Sequence, residues 1–278
     1  MKTHLPSPAL FLLLAFPLAL HAAVQPSQPP YKKADRLRPR PSVVTPAAAG
    51  KPPSDAIVLF DGAGFDQWML LDARNPDAPE RPAKWEIDGA DRALVIKSQV
   101  QTRARFADCH LHLEYRTSPD EPAMPAAKGQ KPRIDQRRGN SGIEFGDHPE
   151  IQILDSHEND TYPDGQAAAI YGHLPPLVNA CLPPGQWHTL DIYYTAPVFA
   201  AGEKTRPATY TVLHNNLPVH IAQPVGGGQT ACRVRLRPHG GLLKYRNIWI
   251  RPLHAYDENK DKPLPENART ADPFKQLP

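Results

Sequence analysis

The sequence has few cysteines, and the three that occur are far apart. Cys109, Cys181 and Cys232 are the only cysteines among 278 residues, and no two of them form a CxxC pair. A zinc cluster is therefore not expected, because its ligands come in closely spaced pairs. We expect three buried apolar cysteines, with one disulfide as the alternative that an exported protein permits.

A strong net charge is also absent. The sequence has 32 Lys and Arg residues against 29 Asp and Glu residues, which gives a formal charge of +3 at pH 7. Most of the basic excess falls in an amino-terminal Pro-rich segment and at scattered positions, without a patch that interleaves basic and aromatic residues. We therefore predict that the protein does not bind nucleic acid.

Only one long apolar run occurs, and it lies near the amino terminus. Lys2 precedes an apolar run from Leu10 to Leu20, and the small residues Ala22 and Ala23 follow it. This is the layout of a secretory signal peptide, and the run is too short to span a bilayer as a helix. We expect residues 1–23 to be removed, no transmembrane segment to remain, and the protein to be periplasmic or secreted.

Composition divides the remaining chain into three parts. Residues 24–53 are dense in Pro, Ala, Lys and Arg without apolar periodicity, which predicts a flexible spacer. Residues 254–278 are again rich in Pro and charged residues, which predicts a tail. Residues 54–253 lie between them and have the length of one domain.

Short β-type segments run through this domain, with Gly, Pro and Asn at the joints. No apolar helical period of about ten residues or more separates them. Many short strands with such turns predict an all-β fold, an antiparallel β-sandwich. The predicted strands are Ala56–Phe60, Lys84–Ile87, Ala93–Lys97, Cys109–Arg116, Ser141–Phe145, Glu150–Leu154, Trp187–Tyr194, Ala208–His214, Val219–Ile221, Val234–Arg237 and Tyr245–Arg251.

Two local patterns add detail to this prediction. The segment from Cys109 to Tyr115 alternates, so its odd-numbered residues are expected in the core and its even-numbered residues on the other face. Asn215 and Asn216 predict a tight hairpin, since Asn tolerates a positive φ. Residues 119–136 and 155–184 are predicted to be long connections, which in compact sandwiches are often functional.

Six motifs in this order resemble the 3-keto-disaccharide hydrolase domain family. The resemblance covers Ala56 to Leu253 and implies a concanavalin A-like jelly roll, related in fold to family 16 glycoside hydrolases. The motifs are Leu59-Phe60-Asp61-Gly62, Gly139-Asn140-Ser141-Gly142, Glu150-Ile151-Gln152-Ile153-Leu154-Asp155, Ala169-Ile170-Tyr171-Gly172, Pro184-Gly185-Gln186-Trp187 and Tyr245-Arg246-Asn247-Ile248-Trp249-Ile250-Arg251-Pro252.

The resemblance implies an exported enzyme that cleaves glycosides whose sugar is oxidised to a ketone at carbon 3. One departure stands at Arg237-Pro238-His239-Gly240, because the family commonly has an acidic residue where this chain has Pro238. A non-catalytic carbohydrate-binding module is the competing class. A carbohydrate is the expected partner in both cases, and the oligomeric state stays open.

The reaction requires acid and base groups near these motifs. A ketone at carbon 3 acidifies the hydrogen on carbon 2, so cleavage needs a base, an acid for the leaving oxygen and a donor at the carbonyl. Glu150 and Asp155 are the leading pair. The predicted catalytic residues are Glu150, Asp155, His157, His173 and His239, and the predicted substrate-binding residues are Asn140, Glu144, Gln152, Tyr171 and Arg237.

The spacing of the leading pair sets a geometric condition. In a regular strand Glu150 and Asp155 point to opposite faces, so only a bulge or a strand end near Leu154 would bring them together. Family 16 glycoside hydrolases use a similar strand motif with an acidic middle residue, but Gln152 stands there, so glucanase activity ranks lower. No cofactor is certain, and a divalent metal ion is an open alternative with Glu150, Asp155, His157 and His173 as ligands.

Overall fold

A computed structural model describes residues 41–48, 51–71, 81–83, 85–95, 97–121, 135–240 and 242–253. The predicted signal peptide at residues 1–23, most of the predicted spacer at 24–53 and the predicted tail at 254–278 lie outside these residues. Within the described ranges, no helix has the length and apolar character needed to cross a bilayer.

Almost all regular structure in the described residues is β-strand. One 3-10 turn, Pro163–Gly165, stands between the strands Ile151–Ile153 and His188–Thr195. The strands are β1 Ile57–Phe60, β2 Trp68–Leu70, β3 Glu86–Asp88, β4 Ala93–Val95, β5 Val100–Thr102, β6 Cys109–Thr117, β7 Ser141–Phe145, β8 Ile151–Ile153, β9 His188–Thr195, β10 Val198–Ala200, β11 Glu203–Arg206, β12 Ala208–His214, β13 Leu217–Val225, β14 Val234–Pro238 and β15 Leu243–Pro252.

The strands form two main antiparallel sheets that pack face to face. The large sheet has the order β13-β12-β9-β6-β15-β4-β3, with β1 paired to β15. The small sheet has the order β2-β5-β14-β7-β8, and β10 and β11 form a separate hairpin. The expected all-β fold, an antiparallel sandwich of the jelly-roll type, is therefore confirmed.

Alternation along β6 shows why these sequences form strands. Cys109, Leu111, Leu113 and Tyr115 are fully buried, and the residues between them are half-buried on the opposite face. An extended chain turns successive side chains to opposite faces, so one face of β6 supplies the core and the other remains polar. The predicted alternation from Cys109 to Tyr115 is confirmed.

Aromatic contacts connect the inner faces of the two sheets. The ring of Phe145 on β7 lies 4.9 Å from the ring of Tyr194 on β9. The Tyr245 hydroxyl on β15 donates a hydrogen bond of 3.1 Å to Ser141 on β7. Both contacts fix β7 against the large sheet, and β7 is the central strand of the candidate site described below.

Most predicted strands are observed with ends shifted by a few residues, but four strands were not predicted. These are β2, β5, β10 and β11, each of three or four residues. Such short segments carry too little alternation to stand out, and β2 and β5 are held by pairing with each other and by the pairing of β5 with β14.

The hairpin and two of the three cysteines agree with the sequence-based predictions. Asn215 and Asn216 have φ values of 51° and 64° between β12 and β13. Cys109, Cys181 and Cys232 are all free thiols, and Cys181 is the one of the three that is half-buried instead of fully buried. Of the predicted connection 119–136, residues 122–134 lie outside the described part of the chain.

We predict that Phe145→Ala lowers the free energy of unfolding by about 3–5 kcal/mol, because it opens a cavity between the sheets. Phe145 is fully buried. Phe199→Ala is the matched control, since Phe199 lies on the β10–β11 hairpin with 42% of its surface exposed. It should cost less than about 1 kcal/mol. Urea unfolding measures both, and equal losses would contradict the packing described here.

Candidate functional site

The outer face of the small sheet, which points away from the core, collects the polar residues of three neighbouring strands. On β14 and β7, Arg235 lies opposite Glu144 and Arg237 lies opposite Gly142. On β7 and β8, Gly142 lies opposite Gln152. Because directly opposite residues share a face, these residues form two adjacent rows across the sheet. The first row contains Arg235 and Glu144, and the second contains Arg237, Gly142 and Gln152.

The chain after the 3-10 turn extends these rows by one more strand-like segment. Ile170 forms a bridge with Ile151, and the Tyr171 N–H donates to the Glu150 carbonyl at 2.9 Å. Tyr171 therefore stands opposite Glu150 on the same outer face. Glu144 and Glu150 are the next pair in register after Ile143 and Ile151, so they also lie opposite each other. The first row therefore runs from Arg235 through Glu144 and Glu150 to Tyr171.

The Glu150 side chain crosses the sheet above Gly142. A Cβ atom at position 142 would overlap the Glu150 carboxylate, so the glycine provides the space in which that carboxylate lies. Gly142 does not have a positive φ, so space is the reason for the glycine here and backbone conformation is not.

Two basic side chains flank the Glu150 carboxylate without forming a hydrogen bond to it. Arg237 Nη1 lies 3.6 Å from Oε2, and His239 Nε2 lies 3.6 Å from Oε1. Both distances exceed those of N–H···O hydrogen bonds. The side chain is 12% exposed. Within the described part of the chain, Glu150 is therefore a shielded carboxylate whose lone pairs accept no hydrogen bond, with two basic groups beside it on the open side of the sheet.

Glu144, the second carboxylate of this row, is held more firmly. Arg237 donates a hydrogen bond to its Oε1, and Arg235 Nη1 lies 3.7 Å from its Oε2. A cavity of about 340 Å³ opens beside these residues, and Glu144, Arg235 and Arg237 are among its lining. Because Glu144 is already bonded to an arginine, it is suited to orienting Arg237 more than to accepting a proton.

Three amide side chains border the site on the β8 side. The Gln152 amide donates to Gln136 Oε1 at 3.0 Å and to Asn140 Oδ1 at 3.2 Å. Asn140 in turn donates to the Gln136 carbonyl at 2.6 Å. These bonds fix the orientation of Asn140 and Gln152, two of the residues that we predicted to bind substrate.

The structure does not bring Asp155 to Glu150. The Asp155 side chain is fully buried and forms an ion pair with Arg138. Its Oδ1 accepts a hydrogen bond of 3.0 Å from the His157 backbone N–H. Strand β8 has no bulge in its pairing with β7 and ends at Ile153. The chain beyond that end buries the Asp155 side chain against Arg138, so the strand end does not bring it to Glu150. Asp155 holds the start of the loop after β8 and does not face the outer side of the small sheet.

The predicted histidines are divided between the site and its surroundings. The His239 ring lies beside Glu150. The His239 backbone N–H donates to the Asn140 carbonyl at 3.1 Å. His173 is exposed, and its Nδ1 lies 2.8 Å from the Tyr171 carbonyl. His157 is half-buried after Asp155. The structure thus brings His239 to Glu150 and leaves His157 and His173 outside the cluster.

The residues proposed as metal ligands do not converge. In the described part of the chain, no group of three or more His, Cys, Asp or Glu side chains is arranged to hold a metal ion. Glu150 faces the groove, whereas Asp155 is buried with Arg138. These residues do not fit a divalent ion, and we assign no step to one.

The polar face of β6 on the large sheet has a different character. Asp191 Oδ1 lies 2.7 Å from His110 Nε2 and 2.8 Å from His112 Nδ1. Burial opposes ionisation of Asp191, but the hydrogen bonds from the two histidines outweigh it and lower its pKa to about 2. The Trp249 ring stacks on His112 at 4.8 Å. Around His110, His112 and Asp191 this face is filled by its own side chains. A cavity of about 480 Å³ opens farther along β6, with Arg116 and Lys244 among its lining residues.

His148, which the sequence reasoning did not single out, lines the cavity with both ring nitrogens bonded. Its Nδ1 lies 2.6 Å from the Gly226 carbonyl and its Nε2 lies 3.0 Å from the Gln229 carbonyl. Carbonyl oxygens only accept, so these two contacts favour the imidazolium form, in which both nitrogens donate. The Tyr194 hydroxyl also lies 2.8 Å from Nε2. Burial alone lowers the pKa of His148, but hydrogen bonds to Cys232, Gln229 and Gly226 outweigh it and raise the pKa to about 9.

The predictions from the sequence also did not include three further residues of the site: Arg235, Gln136 and Tyr162. Arg235 precedes Arg237 by two residues on one strand. Since side chains alternate between the two faces of a strand, the sequence could have predicted Arg235 on the same face as Arg237. Gln136 and Tyr162 reach the site through loop geometry, which no local pattern in the sequence encodes. Tyr162 touches the site residue Tyr171, since their hydroxyls lie 2.8 Å apart.

Comparison with known proteins places the domain in a carbohydrate-active context. The family described as 3-keto-alpha-glucoside-1,2-lyase-like domains matches residues 55–251. Among the curated proteins, none matches this chain.

Two crystal structures of candidate glycosyl hydrolases from Parabacteroides distasonis ATCC 8503 are similar to the chain. One is 32% identical, with a TM-score of 0.65, over 77% of this chain and 93% of that protein. The other is 16% identical, with a TM-score of 0.51, over 72% of this chain and 94% of that protein, and shows likeness of fold alone. The family match and the 32% identical structure support a protein that acts on glycans.

We predict that the His148 imidazolium makes the stability of the fold depend on pH. Its folded pKa of about 9 exceeds the unfolded value of about 6.5, so its contribution is complete below pH 6.5 and is lost as pH rises toward 9. The full contribution is up to about 3 kcal/mol. The free energy of unfolding of the wild type, minus that of His148→Gln, should fall between pH 6.5 and 8.5. Parallel curves over this interval would contradict the charged state.

Proposed function

Since the chain belongs to the family of 3-keto-α-glucoside-1,2-lyase-like domains, we propose that it cleaves glycosides whose sugar carries a ketone at carbon 3. The main supporting observation is the Glu150 carboxylate on the open face of the small sheet. It lies within 3.6 Å of Arg237 and His239 and accepts no hydrogen bond from the described residues. A base, a cation and a proton carrier thus meet at one point. We also propose that the protein is exported, on the basis of the apolar run from Leu10 to Leu20.

Glu150 is assigned as the base. A ketone at carbon 3 acidifies the hydrogen on carbon 2, so removal of that proton is the first demand on the site. Glu144 and Asp155 are less suited to it, because Arg237 donates to Glu144 and Asp155 is buried against Arg138. Arg237 is placed to stabilise the negative charge that develops on the ketone oxygen, where preorganised donors have their largest effect.

His239 is assigned as the acid for the leaving oxygen. Glu150 takes the proton from carbon 2, and the electron pair forms a double bond between carbons 1 and 2. The bond between carbon 1 and the glycosidic oxygen breaks, and His239 gives its proton to that oxygen. Water then adds across the double bond, with the hydroxyl on carbon 1 and a proton on carbon 2, and the two side chains regain their starting states.

Turnover of a chromogenic 3-keto-glucoside tests the assignment. We expect release of the aglycone by the wild type, and a loss of about 10²–10⁴-fold in kcat/KM for Glu150→Gln, the range typical of a general base. Glu203→Gln is the matched control, because Glu203 is exposed on β11 and should retain full turnover. Asp155→Asn should lower stability and retain turnover per folded molecule.

Other outcomes of this assay identify other functions. Release from the unoxidised glucoside at a similar rate would favour a glucanase, for which Glu144 and Glu150 on one row would be the carboxylate pair. Binding of the sugar by a folded protein, without release from either substrate, would favour a carbohydrate-binding module. Either result would overturn the proposed reaction.

Gly142→Ala tests the space that holds Glu150. The new methyl group would overlap the carboxylate, which is the free end of a flexible side chain, so Glu150 moves and the backbone stays. We predict a loss of about 10²-fold in kcat/KM from the misplaced base, with a change of less than about 1 kcal/mol in the free energy of unfolding.

Gly64→Ala is the control for this change. A Cβ atom at Gly64 would meet nothing within 4 Å, so activity and stability should stay at the wild-type level. Wild-type kcat/KM in Gly142→Ala would show that the position of the Glu150 carboxylate does not matter for turnover.

A further inference from the structure

Two tyrosines beside the site are exposed although they are ordered by contacts with each other. Tyr162 is 42% exposed and Tyr171 is 40% exposed. Their hydroxyls lie 2.8 Å apart, and their ring centroids are 6.3 Å apart with the planes inclined by 55°. The two rings form an open aromatic corner, named here the tyrosine pair.

The backbone fixes the tyrosine pair next to Glu150. Tyr171 lies opposite Glu150 in the strand-like pairing of residues 170 and 151, so the two side chains emerge as neighbours on one face. Tyr162 immediately precedes the 3-10 turn, and the Gly165 N–H donates to its carbonyl at 3.1 Å. The turn and the pairing thus hold both rings before any ligand arrives.

Glu150 separates the tyrosine pair from the polar part of the site. On the opposite side, its side chain extends over Gly142 toward Arg237 and His239. The cavity of about 340 Å³ lies on that polar side, since it is lined by Arg235 and Arg237. The site therefore has a cationic half and an aromatic half with the carboxylate between them.

We propose that the tyrosine pair binds the leaving group of the substrate, which rests on the proposed function of the site. The keto sugar needs donors for its carbonyl and so occupies the half that contains Arg237. A bond cleaved beside Glu150 then directs the leaving group to the aromatic half. Aromatic faces bind the apolar surfaces of ring systems, so the substrate class is a glycoside whose leaving group is a second sugar ring or an aryl ring.

Steady-state kinetics with three 3-keto-glucosides tests the inference. The leaving groups are a glucose unit, a p-nitrophenyl group and a methyl group. We expect Tyr162→Ala and Tyr171→Ala to raise KM about tenfold for the two ring substrates, as loss of a stacked ring does. KM for the methyl glycoside should change by less than about twofold, because methyl is too small to contact the pair.

Tyr193→Ala is the matched control, since Tyr193 is 36% exposed on the large sheet. It should leave all three KM values unchanged. An equal rise in KM for the methyl glycoside would indicate a general distortion of the site and would overturn the inference. Unchanged KM values for all three substrates would overturn it as well.

A binding measurement separates this inference from the proposed reaction. Calorimetric titration of the wild type and Tyr162→Ala with p-nitrophenyl glucoside and with methyl glucoside requires no turnover. A rise of about tenfold in Kd, confined to the aryl glucoside, supports the tyrosine pair even if no 3-keto-glucoside is cleaved. The same Kd for both proteins refutes the aromatic subsite even if cleavage is confirmed.

Discussion

The position of the Glu150 carboxylate above Gly142 is the contact on which the candidate site depends. Any larger residue at 142 would occupy the space of that carboxylate. With the glycine in place, Glu150 lies within 3.6 Å of both Arg237 and His239 and stays free of a hydrogen bond among the described residues. Its charge is therefore shielded and oriented, and its lone pairs remain available for a substrate.

The rest of the fold keeps that contact in place. Strand β7 carries Gly142 on its outer face and Phe145 on its inner face, where the ring packs 4.9 Å from Tyr194 of the large sheet. Strand β14 carries Arg237 and pairs with β7 over five residues of each strand. A site on packed central strands is positioned more accurately than one on loops. Asp155 and Arg138 hold the loop after β8, so the buried ion pair supports the site without taking part in it.

The sequence predicted those parts of the structure that local patterns encode. Strict alternation predicted β6, and the Asn215-Asn216 pair predicted its hairpin. The family resemblance indicated Glu150, Arg237 and His239, but their meeting depends on the pairing of β14 with β7, which joins residues about 90 apart in sequence. Tyr162 was missed for a different reason, because it reaches Tyr171, nine residues away, through loop geometry that no local pattern encodes.

The most direct test of the central claim is the isotope effect on cleavage of a 3-keto-glucoside deuterated at carbon 2. If Glu150 removes that proton as the bond to the leaving oxygen breaks, kcat/KM of the wild type should show a primary isotope effect. The product formed in deuterated water should also carry solvent deuterium at carbon 2. Cleavage at the same rate for both isotopologues, with the original hydrogen kept at carbon 2, would contradict proton removal by Glu150 and point to direct hydrolysis.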